Sequence, residues 1–510
     1  MSRGEVGRAT PRGRTVPFMG ISIAFMLVAL LVGIFRLMAQ NGVGPAELSQ
    51  LYGLHPLLMV FGFIGGIIVT ERIAGVELLP HSSETSLSLA IPPFIFAGML
   101  TEAAGYLLDF APLRYAGAAM LAISASLFLW LLASFYKAGR EKTSVLFMIV
   151  SAFALLSSSA LSAFSLPAGN VGFVMLLLSF PVVFVLGERV ELTSLATHMA
   201  TDRFLPALFF SGAAVALFGI GAFFPTTASD LTESVAFVML AVTFAFILMA
   251  ERKAHTKSVV SPFSRYVSRH AALAYVWGLT GSTFGIAYAL FHLFVFYDAF
   301  IHSLALGFIG LMFLAHGPII LPMVVRRQFD NAKLSYSPLA ILSLAITLRI
   351  GAELTLLQGY SWSLELLVAT SGWLVLAAVL AFFAEIVRGM GRRPQADPSG
   401  LTTNSSQTSP RVQVATPITK EDSRKEGNKS HLLRKARIID VLTFLAVILV
   451  SPASVVLSFP LGVMPQVWVA VWLRYVVLFI LLAIGLALFG FDASNRYRLD
   501  ADKPNGPPFW

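Results

Sequence analysis

Near its beginning the chain reads Val16-Pro-Phe-Met-Gly-Ile-Ser-Ile-Ala-Phe-Met-Leu-Val-Ala-Leu-Leu-Val-Gly-Ile-Phe-Arg-Leu-Met-Ala39, an apolar run in which Arg36 carries the only charge. About 20 apolar residues are enough for an α-helix to cross the hydrocarbon core of a bilayer. The run therefore predicts a first transmembrane helix. It lacks a small-residue cleavage site, so we expect it to remain in the protein rather than to serve as a signal peptide.

The composition of the whole chain agrees with a protein that lies mostly in the bilayer. Of its 510 residues, 57% are hydrophobic and 12% are charged, whereas about 25% of a typical soluble domain is charged. The net charge of +9 fits basic loops that face anionic lipid better than it fits nucleic-acid binding. The lipid bilayer is thus the expected partner, and no nucleic-acid partner is expected.

Apolar windows of sufficient length recur along the chain and predict an all-α integral membrane protein. About fourteen transmembrane helices are expected, at residues 16–39, 54–70, 87–108, 116–136, 144–166, 171–187, 205–224, 231–250, 271–294, 297–323, 334–357, 364–387, 438–458 and 467–491. The first twelve windows form a continuous series, and the last two follow a polar interval.

The distribution of Lys and Arg predicts that both termini are cytoplasmic. Basic residues such as Arg12 and Arg14 hold the N-terminus inside. Each even-numbered window then ends at a basic residue, and only four of the 36 Lys and Arg residues fall in the outer half: Arg36, Arg114, Arg349 and Arg474. This alternation supports the number of helices as well as the orientation, and it indicates a multi-pass protein of the plasma or inner membrane.

Five regions are expected along the chain. Residues 1–15 form a cytoplasmic tail, and residues 16–390 form a twelve-helix body. Residues 391–436 are rich in Ser, Thr, Pro and Lys, and they form a disordered basic linker because they cannot bury enough apolar surface to fold. A two-helix appendage at 437–492 and a cytoplasmic tail at 493–510 complete the organisation.

Two patterns repeat inside the twelve-helix body. A Glu-Arg pair ends windows two, six and eight, at residues 71–72, 188–189 and 251–252. We interpret these pairs as carboxylates and arginines that snorkel to the cytoplasmic boundary, with internal duplication as the alternative. Glycines four residues apart, at 62 and 66 and at 281 and 285, favour close helix packing, with room for a flat cofactor as the secondary meaning.

The absence of cysteine from the sequence narrows the metal chemistry. It excludes disulfides, iron–sulfur clusters, thiolate copper centres and covalent c-type haem. Five histidines fall in predicted cytoplasmic loops, where solvated side chains are expected: His81, His198, His255, His270 and His431. The other four lie in or near the membrane, where a buried imidazole is costly and therefore a functional candidate: His55, His292, His302 and His316.

Three of these histidines are expected at one depth near the outer face. His55 opens window two, His292 closes window nine and His302 begins window ten. Imidazoles from facing helices at one depth suit a metal or a haem iron. We predict His55 and His302 as the axial pair, with His292 as a third ligand or an alternative to His55. His316 lies about 21 Å farther along the helix, so it is a separate candidate metal ligand.

Charged residues near this layer have candidate roles beside a haem. Asp298 stands one helical turn before His302 and could orient its imidazole. Haem propionates need cations, and arginine binds carboxylates through two parallel hydrogen bonds. Arg349, with Glu353 one turn on, and Arg474 are the deepest arginines of the outer half, so we predict them as propionate partners.

A resemblance to known haem proteins supports this prediction. The run Leu54-His-Pro-Leu-Leu-Met-Val-Phe-Gly-Phe-Ile-Gly65 resembles the second helix of haem–copper oxidase subunit I, where a histidine at the outer end ligates low-spin haem. The run Tyr297-Asp-Ala-Phe-Ile-His-Ser-Leu-Ala-Leu-Gly-Phe-Ile-Gly-Leu-Met312 is similar to the NnrS family of twelve-helix membrane proteins, which contain haem and copper and are linked to nitric oxide stress. The later Ala315-His-Gly-Pro318 occupies the place of a His-Gly element of that family.

The resemblance implies a haem b held by His55 and His302, with copper as a further candidate metal. It also implies a role in the nitric oxide response or in respiratory electron transfer, with an electron donor as partner. The adjacent histidine pair of an oxidase copper centre is not in this sequence, which argues against oxygen reduction.

Two other functions fit the same residues. A transporter or channel without a cofactor would place His316, Arg349 and Glu353 along a path near the middle of the membrane. A structural subunit of a respiratory complex would use the last two helices and the basic linker to dock its partners. In either case the membrane histidines would hydrogen-bond between helices and bind no metal.

Overall fold

The computed structural model describes residues 15–390, with the exception of 41–53, 78–84, 140, 163–169, 198–199, 225–228, 256–261, 326, 328, 330–333 and 357–361. Several predicted regions lie outside the described residues. They are the N-terminal tail up to residue 14, the linker, the two-helix appendage with Arg474, and the C-terminal tail from residue 493.

Twelve long helices make up the described part of the chain, and they are numbered α1 to α12 in chain order. Two of them contain a π-helical segment. They are α1 Val16–Gln40, α2 Leu54–Leu57 continuing through π segment Leu58–Gly65 into Gly66–Glu77, α3 Ile91–Leu107, α4 Ala111–Lys137, α5 Lys142–Ser162, α6 Val171–Thr197, α7 Leu205–Phe223, α8 Ser229–His255, α9 Pro262–Phe291, α10 Phe294–His302 continuing through π segment Ser303–Gly310 into Leu311–Val325, α11 Ser337–Leu356 and α12 Trp362–Gly389.

Ten of these helices are long and apolar enough to cross a membrane. The other two are α3, which has 17 residues, and α9, whose first turns carry Arg265, Arg269 and His270. Across the described ranges the only strand pairing is an isolated bridge between Phe329 and Met390. The predicted class, an all-helical multi-pass membrane protein, is confirmed for the part of the chain that the structure describes.

Helix α9 begins earlier than its apolar window indicated, and this changes the position of His270. The window begins at residue 271, whereas the helix begins at Pro262. His270 is therefore buried inside the bundle rather than solvated in a loop. Its Nδ1 lies 2.8 Å from the carbonyl oxygen of Tyr266, and its ring lies 4.0 Å from that of Tyr266. The prediction of a solvated side chain at His270 is wrong, because two tyrosine rings cover the imidazole at the start of the helix.

Helix α6 lies at the centre of the bundle. Every residue of its most apolar window is buried, although Pro181 interrupts its hydrogen bonding. It contacts α5, α7 and α8, and also the π segments of α2 and α10. Helices α2 and α10 therefore both pack against the most buried helix, and they carry the candidate ligands His55 and His302.

The two π segments share their length and their ending. Each contains eight residues, and each ends in Gly-Phe-Ile-Gly, at 62–65 in α2 and at 307–310 in α10. The α2 segment begins one short turn after His55, and the α10 segment begins directly after His302. π-Helical hydrogen bonding is rare and often marks functional sites. The same unusual backbone thus follows both predicted axial ligands.

The paired glycines bring helices into close contact, as predicted. A Cβ atom at Gly62 would lie 2.7 Å from the ring of Phe25 in α1, and one at Gly66 would collide with Ser22. In α9, a Cβ at Gly281 would lie 2.8 Å from Leu304, and one at Gly285 would collide with Phe237. These side chains occupy the space that a larger residue would need, so the interpretation as packing faces is confirmed.

Candidate functional site

His55 lies in the first turn of α2 and is held by α1. Its Nδ1 is 2.8 Å from the carbonyl oxygen of Ala29. The imidazole packs onto Gly33, where a Cβ atom would lie 2.8 Å from Cε1 and 2.9 Å from Nδ1. Glycine at position 33 therefore leaves the room that the ring occupies, and Ala29 fixes its orientation.

His302 ends the first segment of α10 and is held by its own helix. Its Nδ1 is 2.9 Å from the carbonyl oxygen of Asp298 and 2.9 Å from Oδ2 of the same residue. Asp298 thus contacts the imidazole through both its main chain and its side chain. This is the orienting contact that the spacing of the two residues predicts.

These contacts determine which nitrogen of each ring carries the proton. A carbonyl oxygen can only accept a hydrogen bond, so Nδ1 must be the donor in both His55 and His302. In a neutral imidazole the other nitrogen, Nε2, then keeps its lone pair. Histidines that bind metals commonly donate their second N–H to a carbonyl or carboxylate in this way. Both rings therefore have the tautomer required of a metal ligand.

The two imidazoles belong to one electrostatic environment. His55 lies within electrostatic range of His302, Arg36 and Arg349. The structure thus brings together α1, α2, α10 and α11 at the layer where the sequence places the axial pair.

Beside His302, Arg349 joins two carboxyl groups. Its Nε and one terminal nitrogen lie 2.9 Å and 3.1 Å from the two carboxylate oxygens of Asp298, and its Nε lies 3.2 Å from Glu353. Arg349 therefore already contacts protein carboxylates, so a haem propionate would have to displace one of them.

His292 is placed differently from the other two histidines of the predicted layer. It follows α9 with a positive φ of 52°, and its side chain is 56% exposed, with Nε2 at 3.3 Å from Asp230 of α8. No group of three or more His, Cys, Asp or Glu residues is arranged to hold a metal within the described ranges. The structure therefore does not bring His292 into one cluster with His55 and His302.

His316 lies in a separate environment, as the spacing along α10 predicts. Its Nδ1 is 2.8 Å from the carbonyl oxygen of Met312. Its Nε2 is buried and has no hydrogen-bond partner among the described residues. The side chain lines a cavity of about 90 Å³ whose polar lining residues also include Glu71 and Glu188.

Two of the three Glu-Arg pairs use their arginine to connect helices instead of reaching to the membrane surface. Arg72 of α2 lies 2.9 Å from Glu188 of α6. Arg189 of α6 in turn forms two hydrogen bonds, of 3.0 Å and 2.8 Å, with Glu251 of α8. Glu188, Arg189 and Glu251 are buried. The interpretation as snorkelling pairs is wrong for Arg72 and Arg189, because each of these arginines bonds the glutamate of the next motif across a helix interface.

Sequence reasoning left Glu71 and Glu188 without a functional role. The recurrence of Glu-Arg at the ends of three helices was the available signal, but it does not reveal which helices are neighbours. Gly33 was also not singled out, because nothing in the sequence shows that α1 packs against His55.

Comparison with known proteins returns a family but no activity. The model of a family described as a domain of unknown function (DUF8744) matches residues 14–390. The matched range includes all twelve helices described above. No curated protein matches the chain.

Proposed function

Because the chain belongs to the family described as a domain of unknown function (DUF8744), whose description gives no activity, we propose a function from the site. The protein binds haem b through His55 and His302 in the plasma or inner membrane. It acts in the nitric oxide response or in respiratory electron transfer. The observation that carries the proposal is that both imidazoles donate Nδ1–H to a backbone carbonyl and keep Nε2 free for a metal.

The surroundings of the two histidines support this use. His55 is fixed by Ala29 of α1, and His302 is fixed by Asp298, which Arg349 holds through two hydrogen bonds. Ligands whose second nitrogen is bonded in this way keep their orientation when the metal is absent. The donor set, two imidazoles that each keep an unprotonated Nε2, is of the kind that would hold a haem iron.

Ligation of the haem iron by two histidines would favour electron transfer over a direct role in the nitric oxide response. Haem iron has two axial positions, and a bound haem supplies one-electron redox chemistry. If His55 and His302 fill both positions, no position stays open for a diatomic ligand. The pair therefore favours electron transfer, and binding of nitric oxide would require one histidine to dissociate.

The proposal is tested by the absorption spectrum of protein purified in detergent after haem-replete expression. We expect a Soret band in the wild type that is lost in His55→Ala and in His302→Ala. His292→Ala is the matched control, because this exposed residue contacts Asp230, and we expect it to keep the band. A colourless wild-type protein, or a band that survives both substitutions, would contradict the proposal.

A loss of haem must be separated from a loss of fold. The variants His55→Gly and His302→Gly leave a space that free imidazole can enter. We expect added imidazole to restore the Soret band in these variants if the histidine acts as a ligand. Failure of rescue in a protein that still elutes as a single species would argue against ligation by that residue.

The cavity beside His316 favours a transporter as the second candidate function. Its lining includes ionisable side chains at membrane depth, His316, Glu71 and Glu188, as pathways for ions and solutes often do. Arg349 and Glu353, the other members of the predicted path, are not part of this lining. Substrate-dependent flux into vesicles that contain colourless, haem-free protein would favour this function.

A further inference from the structure

Glu102 is a buried carboxyl group in α3 that plays no part in the site described above. It lies five residues before the end of the helix. Leu100 and Leu107, on the outside of the same helix, are each 60% exposed, whereas Glu102 is 0% exposed. Helix α3 therefore turns apolar side chains outward and this carboxyl group toward the bundle.

Helix α4 packs closely against α3 at Glu102. A Cβ atom at Gly117 of α4 would lie 2.5 Å from the main-chain nitrogen of Glu102 and 2.6 Å from its Cβ. A Cβ atom at Gly98, one turn before Glu102, would lie 3.0 Å from the carbonyl oxygen of Gly117. Glycines on both helices thus let the two backbones meet at this level, and the contact keeps lipid and water away from Glu102.

The carboxyl oxygens of Glu102 lack a hydrogen-bond donor. Both are buried, and neither has a hydrogen-bond partner among the residues that the structure describes. The hydroxyl of Ser162 in α5 is a polar neighbour, but it donates its hydrogen to the carbonyl oxygen of Ser159, 2.9 Å away. This hydroxyl can therefore accept a hydrogen bond from Glu102 but cannot donate one.

The arginine at this end of α4 contacts other groups. The guanidinium carbon of Arg114 lies 5.5 Å from the centre of the Tyr106 ring, and one terminal nitrogen lies 4.0 Å from Asp109. No hydrogen bond joins Arg114 to Glu102 in the described part of the chain. An ionised Glu102 would thus be a buried charge without a counter-charge, and a group in that position binds a proton instead.

We propose that Glu102 is a proton-binding site that is occupied at neutral pH and closed by the contact between α3 and α4 at Gly117. The bound proton makes the side chain a neutral carboxylic acid, whose O–H group can donate to the hydroxyl oxygen of Ser162. The proton exchanges with water only when α4 moves away from α3. Buried ionisable side chains of membrane proteins often belong to proton pathways, and this site does not depend on haem binding by His55 and His302.

The bound proton is tested by infrared spectroscopy of the full chain in lipid at pH 7. A carboxylic acid has a C=O band that a carboxylate lacks. We expect Glu102→Gln to lose part of this band relative to the wild type, by the amount of one carboxyl group per chain. Asp109→Asn is the matched control, because this side chain is 95% exposed and an exposed Asp is ionised at pH 7. We expect Asp109→Asn to keep the whole band.

Two results would overturn the assignment of the proton. One is a band of equal size in the wild type and in Glu102→Gln. The other is a Glu102→Gln protein that fails to fold, because glutamine exchanges a neutral acid for a neutral group of the same size.

The role of the helix contact is tested by transfer into D₂O, which shifts the Glu102 band as its proton exchanges. We expect Gly117→Ala to accelerate this shift by about tenfold or more, because overpacking weakens the contact and favours local opening. Gly98→Ala, whose Cβ would meet its neighbours at a longer distance, should accelerate the shift less.

Gly212→Ala in α7 is the matched control, since no atom lies within 4 Å of its Cβ position. We expect its exchange rate to equal that of the wild type. Unchanged rates in both Gly117→Ala and Gly98→Ala would overturn the role of the helix contact while leaving the assignment of the proton intact.

Discussion

At the scale of single residues, the candidate site depends on which atoms hold each imidazole. His302 and His316 bond the carbonyl oxygens of their own helix, four residues earlier. His55 instead bonds Ala29, which lies 26 residues away in α1. The orientation of His55 therefore depends on the packing of two helices, and it is the more easily disturbed of the two proposed haem ligands.

Substitution of Gly33 by alanine tests this dependence. The added Cβ would lie 2.8 Å from Cε1 of His55, so the ring must move and its bond to Ala29 must lengthen. We expect Gly33→Ala to lower the haem content of purified protein, read from the Soret absorbance per mole of protein. Gly20→Ala is the matched control in the same helix, since no atom lies within 4 Å of its Cβ position. Equal haem content in the two variants would contradict the proposed role of α1.

For single residues, the sequence predicts how deep a residue lies in the membrane but not which way its side chain points. The apolar windows place His55, His302 and Asp298 near one end of α2 and α10, and the structure brings them into one electrostatic environment. They also place His292 at that depth. The left-handed backbone at His292 turns its side chain to Asp230 instead. Hydropathy reports how far along a helix a residue lies, but rotation and loop conformation depend on packing.

At the scale of elements, α2 and α10 are the unusual helices. Both change from α to π hydrogen bonding beside the central helix α6 and return to α geometry after Gly-Phe-Ile-Gly. Apolar windows cannot predict this change. Hydropathy depends only on residue type, and it is the same whichever backbone groups are hydrogen-bonded. The repeated tetrapeptide was visible in the sequence, but its meaning depends on both copies packing against the same neighbour.

The ion pair between α6 and α8 makes a prediction about stability. Arg189 and Glu251 are 4% and 6% exposed, with two hydrogen bonds between them, and Tyr275 donates a third bond of 2.8 Å to Glu251. Glu251→Gln would leave the buried guanidinium without its counter-charge. We expect the free energy of unfolding in detergent to fall by about 3–5 kcal/mol, the usual cost of breaking a buried pair.

Two further variants separate this effect from a general loss of packing. Glu191→Gln removes a half-buried partner of Arg72 but leaves the contact with Glu188 in place. We therefore expect the free energy of unfolding to fall by only about 0–1 kcal/mol. The double variant Arg189→Met/Glu251→Leu leaves no unpaired charge and should recover most of the stability. A Glu251→Gln protein as stable as Glu191→Gln would show that the pair does not hold α6 to α8.

At the scale of the whole molecule, composition and hydropathy were enough to predict the class and the main helices. Every helix from α1 to α12 overlaps one of the first twelve predicted windows. The windows failed at helix ends with polar residues, as at α9, where Arg265, Arg269 and His270 continue the helix before the apolar part. The sequence could not predict which buried charges pair with each other, because partners such as Arg72 and Glu188 are 116 residues apart in the chain.

The orientation in the membrane remains a prediction, and the absence of cysteine from the sequence makes it directly testable. Leu108 and Ala138 are exposed residues at opposite ends of α4. We expect Leu108→Cys to react with a membrane-impermeant maleimide in cells whose wall and any outer membrane have been removed but whose plasma or inner membrane is intact. A cysteine at 138 should react only after permeabilisation. The reverse pattern would show that the N-terminus is outside.

The buried bridges from α2 to α6 and from α6 to α8 also impose an order on biogenesis. Arg72 leaves the ribosome 116 residues before Glu188, and Arg189 leaves it 62 residues before Glu251. At about 5–20 residues per second, the first interval lasts about 6–23 s. During that time Arg72 of a nascent α2 lacks its partner Glu188. We therefore expect α2 to complete its packing only after α6 has been inserted, and α6 to complete its packing only after α8.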